Sequence, residues 1–341
     1  MTRGKTADSL NFLKKASFRK IGNFLKIFFS YYASRLMRRP VMSGFPVSMS
    51  IEPTTSCNLR CPQCPSGLRS FNRPTGMLDE TFFRNLIDQS HKNLFYLTFY
   101  FQGEPYLHKG FLDMVAYAEN KGIYTSTSTN GSYLTRENAE ATVRAGLSRL
   151  IVSIDGLDQA SYEKYRVGGN LEKVLQGVRN IVEAKRRLKS AKPYLILQFL
   201  TFRHNEQDWR KFRSFSKNIG ADEAKIKTAQ IYDFENGSEL IPSNGRFARY
   251  IKGPDGKFRL KNKLYNHCWR MWHSCVITWD GIVAPCCFDK DARHRLGDAK
   301  TAPLREIWRS GAYQNFRHTL LRSRGSVDIC RNCSEGTKVW I

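Results

Sequence analysis

Long apolar runs, acidic residues and a pairable set of cysteines are what this 341-residue sequence lacks. No stretch reaches the roughly 18 apolar residues that a membrane-spanning helix needs. The nearest candidate, residues 21–32, is short and contains Lys26. Lys14, Lys15, Arg19 and Lys20 precede it, but its depth in the chain and the lack of a small-residue cleavage site argue against a secretory signal. Acids are few: 30 Asp and Glu against 55 Lys and Arg leave a net charge of +25. That surplus points to an anionic partner: nucleic acid, an acidic membrane face, or a phosphorylated or acidic substrate. The nine cysteines are an odd number and two are adjacent, so a disulfide framework is a poor fit. Metal ligation in a reducing compartment fits better. No internal repeat or low-complexity tract is present. With 41% hydrophobic and 25% charged residues the chain is an ordinary globular one, long enough to bury a core without staples.

Three regions follow from the residue patterning. Residues 1–45 carry ten Lys or Arg against the single acid Asp8. Leu10, Leu13, Phe18, Ile21, Phe24, Leu25, Phe28 and Tyr32 recur mostly at three or four, which predicts a basic amphipathic helix. It could lie on an anionic membrane surface or pack its apolar face against the main domain. Residues 46–235 alternate strand-like and helix-like segments. Strands are expected at 47–51, 96–101, 124–129, 149–154, 194–201 and 223–227. Helices are expected at 78–89, 111–120, 137–145, 171–190 and 206–218. Six β-then-α units imply a parallel sheet, too few for a closed eight-fold barrel but suited to an open (β/α)6 one. Residues 236–341 lose this rhythm and hold six of the nine cysteines. Asn236-Gly237, Pro242, Asn244-Gly245 and Pro254-Asp255-Gly256 are turn signals near the boundary.

Cys57, Cys61 and Cys64 follow the first expected strand with the spacing C-x3-C-x2-C. Three thiolates in one loop are one short of a complete ligand set for a [4Fe–4S] cube or a tetrahedral zinc. A cube with three protein ligands leaves one iron open to a chelating amine and carboxylate. A zinc completed by a distant ligand is the alternative that spacing alone leaves open.

Later strand ends narrow the choice. They read Gln102-Gly103-Glu104-Pro105, then Thr129-Asn130-Gly131, then Ser153-Ile154-Asp155-Gly156. With the cysteine loop, this ordered set resembles the radical S-adenosylmethionine (SAM) superfamily over roughly residues 46–230. The resemblance implies an α/β fold, a partial (β/α)6 barrel of the TIM type. It implies that Cys57, Cys61 and Cys64 ligate a 4Fe-4S cluster that cleaves SAM reductively to a 5′-deoxyadenosyl radical. It assigns SAM contacts to Gly103, Glu104, Asn130, Ser153 and Arg166. A carboxylate at Glu104 suits an ammonium, and the fork of Arg166 suits a carboxylate. Ser153 could instead be a core hydroxyl, and Arg166 a solvated helix residue. Two positions depart from the family pattern: Gln102 stands where a glycine is usual, and Gln63 where an aromatic residue often contacts adenine.

The third region resembles the SPASM extension of such enzymes, in its reduced, twitch-like form. The resemblance rests on Cys268, Trp279-Asp280-Gly281, Pro285-Cys286-Cys287, Leu296-Gly297-Asp298, Ile307-Trp308 and Cys330-x2-Cys333. It implies an auxiliary 4Fe-4S cluster on Cys268, Cys286, Cys330 and Cys333. Cys275 is the leading substitute, Cys287 the alternative to Cys286, and structural zinc the alternative metal. No cysteine follows Cys333, so one auxiliary cluster is expected. Asp289 is a candidate general base near it, or a solvated loop acid.

The expected activity is therefore hydrogen abstraction from an unidentified substrate, a peptide or protein or a sugar-like alcohol. The electron donor would be a flavodoxin or ferredoxin, and the location cytoplasmic, peripheral to a membrane if residues 1–45 make that contact. Nucleic acid is disfavoured, since no RNA-binding motif accompanies the basic clusters. The rival from another class is a non-catalytic zinc- or cluster-binding module that meets nucleic acid or a membrane surface.

Overall fold

The computed structural model describes residues 2–339. Two helices, α1 (Thr2–Leu13) and α2 (Phe18–Met37), open the chain. The strands follow in order: β1 (Ser48–Ile51), β2 (Tyr96–Phe99), β3 (Tyr124–Thr129), β4 (Arg149–Ser153), β5 (Tyr194–Thr201), β6 (Glu223–Thr228), β7 (Tyr250–Lys252), β8 (Phe258–Leu260), β9 (Ser274–Ile277), β10 (Ile282–Ala284) and β11 (Gly297–Asp298). The chain forms two compact units. One comprises residues 1–11, 57–70 and 126–262, the other 12–56, 71–125 and 263–341.

In the first of these, β4 pairs in parallel with β3 and β5, and β6 adds to β5. Tyr194-Leu-Ile-Leu-Gln-Phe-Leu-Thr suits its inner place, because a strand covered on both faces reads as a near-continuous apolar run. β6 closes the row as an edge strand. Its outward Lys225 and Lys227 discourage pairing with another chain. The helix Leu171–Arg187 connects β4 to β5. It is capped by Asn170, whose side chain accepts from Lys173 N, and it buries Leu171, Val174, Val178, Ile181 and Ala184 at helical spacing. β7 and β8 form a hairpin around Pro254-Asp255-Gly256. Ile241 and Tyr250 bring residues 236–262 into the same apolar cluster as Leu59 and Cys61.

In the second unit β1 lies between β2 and β9, parallel to both. β10 and β11 continue from β9 as an antiparallel meander. A strand from the cysteine-rich third region thus lies directly beside the first strand of the chain, with Met49 opposite Cys275.

The structure differs from expectation in two places. The strand at 96–101 ends at Phe99 and the helix expected from 206 begins at Trp209, each shortened at a loop. Five helical crossovers serve the six strands, matching the five expected helices, and among the described residues β6 is followed by loop and the β7–β8 hairpin. Second, α2 packs a mixed rather than an apolar face inward, with Phe24 and Tyr31 against Trp269 and Tyr31 against Trp272. Its buried stripe includes Lys20, Asn23, Ser30 and Ser34 beside Ile27 and Tyr31. Asn23 exchanges both amide hydrogen bonds with the backbone of Phe45, and Ser34 does the same work for Val41. The segment 41–45 is irregular and needs partners for its buried backbone groups, and polar side chains on α2 supply them.

Candidate functional site

The Cys57–Cys64 loop begins where β1 ends. Cys61 is buried, while Cys57 and Cys64 are half-buried. The loop is held from several directions within its unit. Arg60 N donates to Val167 O at 3.0 Å, and Leu59 packs with Tyr165 and Phe202. A short helix, Pro65–Leu68, starts at Cys64 and folds back over the loop. A Cβ on Gly67 would stand 2.6 Å from Cys61 N, so this turn requires glycine. Nothing in the spacing of the cysteines singled out Gly67. Gln63 Oε1 accepts from Tyr232 N at 2.9 Å, so the residue standing in the usual aromatic position serves as a backbone tie.

Asn130 Nδ2 donates to Asn58 Oδ1 at 2.8 Å and to Cys57 Sγ at 3.8 Å. Arg166 is no solvated helix residue. Its Nε donates to the fully buried Asp155 Oδ2 at 2.6 Å, and its Nη1 lies 4.0 Å from Cys61 Sγ. Burial pushes the Cys61 thiol up, and the Arg166 guanidinium opposes that. Burial works against the Arg166 charge, but Asp155 and Cys61 hold it well above its ordinary range. Asp155 also accepts from Leu200 N, so the end of β5 fixes the carboxylate that fixes the arginine. Ser153 is buried at the end of β4, opposite Gln198.

Residues 102–105 are built in the other unit. Gly103 has φ +74°, and a Cβ there would lie 2.1 Å from Thr54 O. Only glycine permits that approach. Glu104 N donates to Ser56 O at 2.8 Å, which stitches the segment to the residue just before Cys57. Glu104 is buried and its Oε1 accepts from Tyr106 N at 3.3 Å. Gln102 turns its amide back to Phe101 O at 2.7 Å, so it takes the place of a glycine without entering the space around Gly103.

The same unit gathers the later cysteines. Arg324 is buried; it donates to His267 O at 2.8 Å, to Glu335 O at 2.7 Å and to Cys333 Sγ at 3.3 Å. A Cβ on Gly336, at φ +82°, would stand 2.4 Å from Cys268 Sγ, so the segment after Cys333 lies directly against Cys268. Trp269 N donates to Gly336 O, and Arg270 pairs with Glu335. Burial raises the Cys330 thiol to about 11 and Cys333 to about 12, with Arg324 opposing both. Burial likewise pushes Cys286 well up, reinforced by Cys287, Cys333 and Cys268 around it. Cys287 also packs against the apolar cluster of Phe101, Val276, Ala284 and Ala292. Cys275 sits inside the sheet on β9, raised to about 12 by burial, with Arg317 as the charge that acts on it.

The donor chemistry fits iron–sulfur groups: the donors are thiols, beside buried arginines that offset the negative charge of thiolates. Among the described residues no three His, Cys, Asp or Glu side chains converge on a single-ion site. Asp289 is not a solvated loop acid. It is buried, and its two oxygens accept from Arg293 N and His294 N, each at 2.9 Å. Sequence reasoning also missed Glu52 and Arg73. Arg73 forks onto Glu52 at 2.9 and 2.5 Å and donates to Lys290 O, while Trp279 N donates to Glu52. That buried pair fastens the end of β1 to two turns of the third region.

Two family models match the chain in tandem, the radical SAM superfamily over residues 51–212 and the SPASM iron–sulfur cluster-binding domain over residues 268–334. The chain belongs to the radical SAM superfamily and carries a C-terminal SPASM domain. It is 24% identical over 323 residues to the tungsten-containing aldehyde ferredoxin oxidoreductase cofactor-modifying protein of Pyrococcus furiosus. That alignment covers 83% of this chain and 86% of the relative. It is 23% identical over 318 residues to the PqqA peptide cyclase of Gluconobacter oxydans, covering 86% and 84%. The fold is similar to that of Streptococcus suis SuiB bound to its precursor peptide SuiA. The TM-score is 0.62 at 13% identity, over 94% of this chain and 77% of the other. The mostly parallel sheet and the cysteine-rich extension are those of a radical SAM/SPASM enzyme. No helix among the described residues is long and apolar enough to cross a membrane.

Proposed function

We propose that this enzyme cleaves SAM reductively at a 4Fe-4S cluster ligated by Cys57, Cys61 and Cys64, and oxidises a peptide or protein substrate with the help of one auxiliary 4Fe-4S cluster. When bound, the first cluster supplies the electron that breaks the sulfonium C–S bond and yields a hydrogen-abstracting 5′-deoxyadenosyl radical. The observation that carries the reading is the cysteine loop: three thiols within eight residues, fastened by backbone and side-chain bonds, in a unit that contains no fourth cysteine. Such a loop leaves one coordination position for an exogenous chelator.

The chain's own residues do the positioning. Asn130 and Arg166 address Cys57 and Cys61, and Asp155 keeps the guanidinium in place. Gly103, Glu104, Asn130, Ser153 and Arg166 are the assigned SAM contacts. Cys268, Cys286, Cys330 and Cys333 are the assigned auxiliary ligands, supported by Arg324 beside Cys268, Cys330 and Cys333 and by the nearness of Cys268 and Cys333 to Cys286. The placement of Cys275 within the sheet, with Arg317, favours a core role for it. Asp289, the candidate general base, is buried with both oxygens engaged by the backbone after Cys286, and burial pushes its carboxyl up. A peptide substrate is favoured by the likeness to a peptide cyclase. The electron donor is a flavodoxin or ferredoxin, and the setting is cytoplasmic.

The test is 5′-deoxyadenosine formation by anaerobically reconstituted protein given SAM and dithionite. Product from the parent and none from Cys61→Ala is expected. Zinc in place of iron after anaerobic isolation would overturn the reading. Deuterium transfer into 5′-deoxyadenosine from a labelled sugar alcohol, and not from peptides, would move the substrate to that class.

A further inference from the structure

α2 is apolar on the side that faces away from the protein. Phe18, Ile21, Leu25, Phe29, Tyr32 and Leu36 are exposed, at 97, 45, 44, 65, 42 and 87%. Their spacing of three or four places them within a sector of about 80° of the helix circumference. The buried stripe of Lys20, Asn23, Ile27, Ser30, Tyr31 and Ser34, more polar than apolar, lies on the opposite side. A soluble helix ordinarily has the reverse arrangement. Six contiguous apolar side chains on one exposed helix face are a docking surface, not scattered exposure.

The charge around that face identifies the occupant. From residue 9 to residue 51 the chain has eight Lys or Arg and no acid. Arg19 and Lys26 flank one side of the stripe and Arg35 the other. On the first side a cleft of about 420 Å³ opens, lined by Arg19, Lys26, Arg305 and Arg309 and by no acidic side chain. Phe18 belongs both to the stripe and to the wall of this cleft. The polar atoms of Asn23 in the cleft wall are occupied by Phe45 backbone, so the charged groups the cleft offers a ligand are the four cations, with Ser43 and Asn93 as neutral neighbours. A second copy of the chain would bring the same positive rim and be repelled. An anionic surface with an apolar interior satisfies both features at once.

We propose that α2 docks lengthwise on a bilayer containing anionic phospholipid, its apolar stripe at the acyl boundary and a headgroup phosphate in the Arg19–Lys26–Arg305–Arg309 cleft. Interfacial helices bind in this way, by buried apolar area plus attraction to anionic lipid. The proposal does not depend on the radical chemistry.

Vesicle flotation of the reconstituted full chain tests it. The protein should float with vesicles of phosphatidylcholine and phosphatidylglycerol and remain below with phosphatidylcholine alone. Phe18→Ser/Phe29→Ser/Leu36→Ser should weaken partition at least about tenfold while the melting curve stays unchanged, since these side chains are exposed. Arg305→Glu/Arg309→Glu should weaken it as well, and phosphate should release the protein no better than chloride at equal ionic strength. The proposal fails if the folded parent does not float with the anionic vesicles, or if the triple variant floats as the parent does. Release by phosphate but not by chloride would make the cleft a soluble-anion site and overturn the headgroup assignment. Self-association of the parent that the triple variant abolishes, without vesicle binding, would replace the membrane by a protein partner.

Discussion

Arg166 bridges Asp155 and Cys61: its Nε donates to the buried carboxylate at 2.6 Å while its Nη1 lies 4.0 Å from the thiol. The Asp155 carboxylate thereby balances the guanidinium charge in a poorly solvated place. Breaking such a pair by removing one member leaves the other charge buried alone. Arg166→Met should therefore cost about 3 kcal/mol or more in urea unfolding. Asp155→Asn/Arg166→Met should recover part of that loss. Additive single losses would show that the two residues are not coupled.

Gly103 and Gly122 share φ +74°, but only Gly103 has backbone in the space of a Cβ, with Thr54 O at 2.1 Å; nothing lies within 4 Å at Gly122. Gly122→Ala should cost about 1 kcal/mol, the backbone strain alone. Gly103→Ala should cost more than about 2 kcal/mol, because the chain must also move. It should weaken SAM binding in calorimetry, whereas Gly122→Ala should leave it unchanged.

The auxiliary cysteines give an iron-count prediction. The reconstituted parent should hold about eight irons, and Cys330→Ser/Cys333→Ser about four. Cys275→Ser should keep the parent's iron and lose stability instead, since Cys275 is buried in the sheet opposite Met49. Arg324→Met should lower the auxiliary iron without removing the other cluster, because it takes away the donor to Cys333 Sγ.

Lys20 is buried on α2, where its Nζ donates to Gly122 O and faces Phe95, with the Lys15–Glu119 pair nearby. Burial lowers its pKa to about 8, and Lys15 adds to that. A lysine whose folded pKa lies below its unfolded value binds protons more weakly when folded, so its contribution to stability rises with pH between about 8 and 10.5. Below that window the charged form carries the full burial penalty. The melting-temperature difference between Lys20→Met and the parent should therefore shift in the parent's favour from pH 8 to pH 10. A difference that stays flat over this range would show that Lys20 titrates normally.

Most of the barrel was legible from residue order because period-2 and period-3.6 patterns report which side of an element is buried. The helix Phe111–Asn120 and the strands Tyr124–Thr129 and Tyr194–Thr201 lie where those patterns place them. The packing of the loop after β6 was not legible, because a loop that packs through Ile241 and Tyr250 needs no periodicity.

The sequence by itself determined the class of chemistry. Thiol spacing within one loop is set by local chain geometry, so Cys57, Cys61 and Cys64 are readable as a set without any fold. Tertiary structure alone decided the rest. Arg166 is separated from Cys61 by a hundred residues, and only packing reveals Asp155 as its anchor. Cys286 and Cys287 are neighbours in sequence, and only the fold of the turn after β10 brings Cys286 near Cys268 and Cys333 and packs Cys287 against an apolar cluster. The apolar residues of α2 are equally periodic whichever way the helix faces. Its orientation satisfies the irregular 41–45 segment, whose backbone groups take polar partners from it, and seats Phe24 and Tyr31 against Trp269.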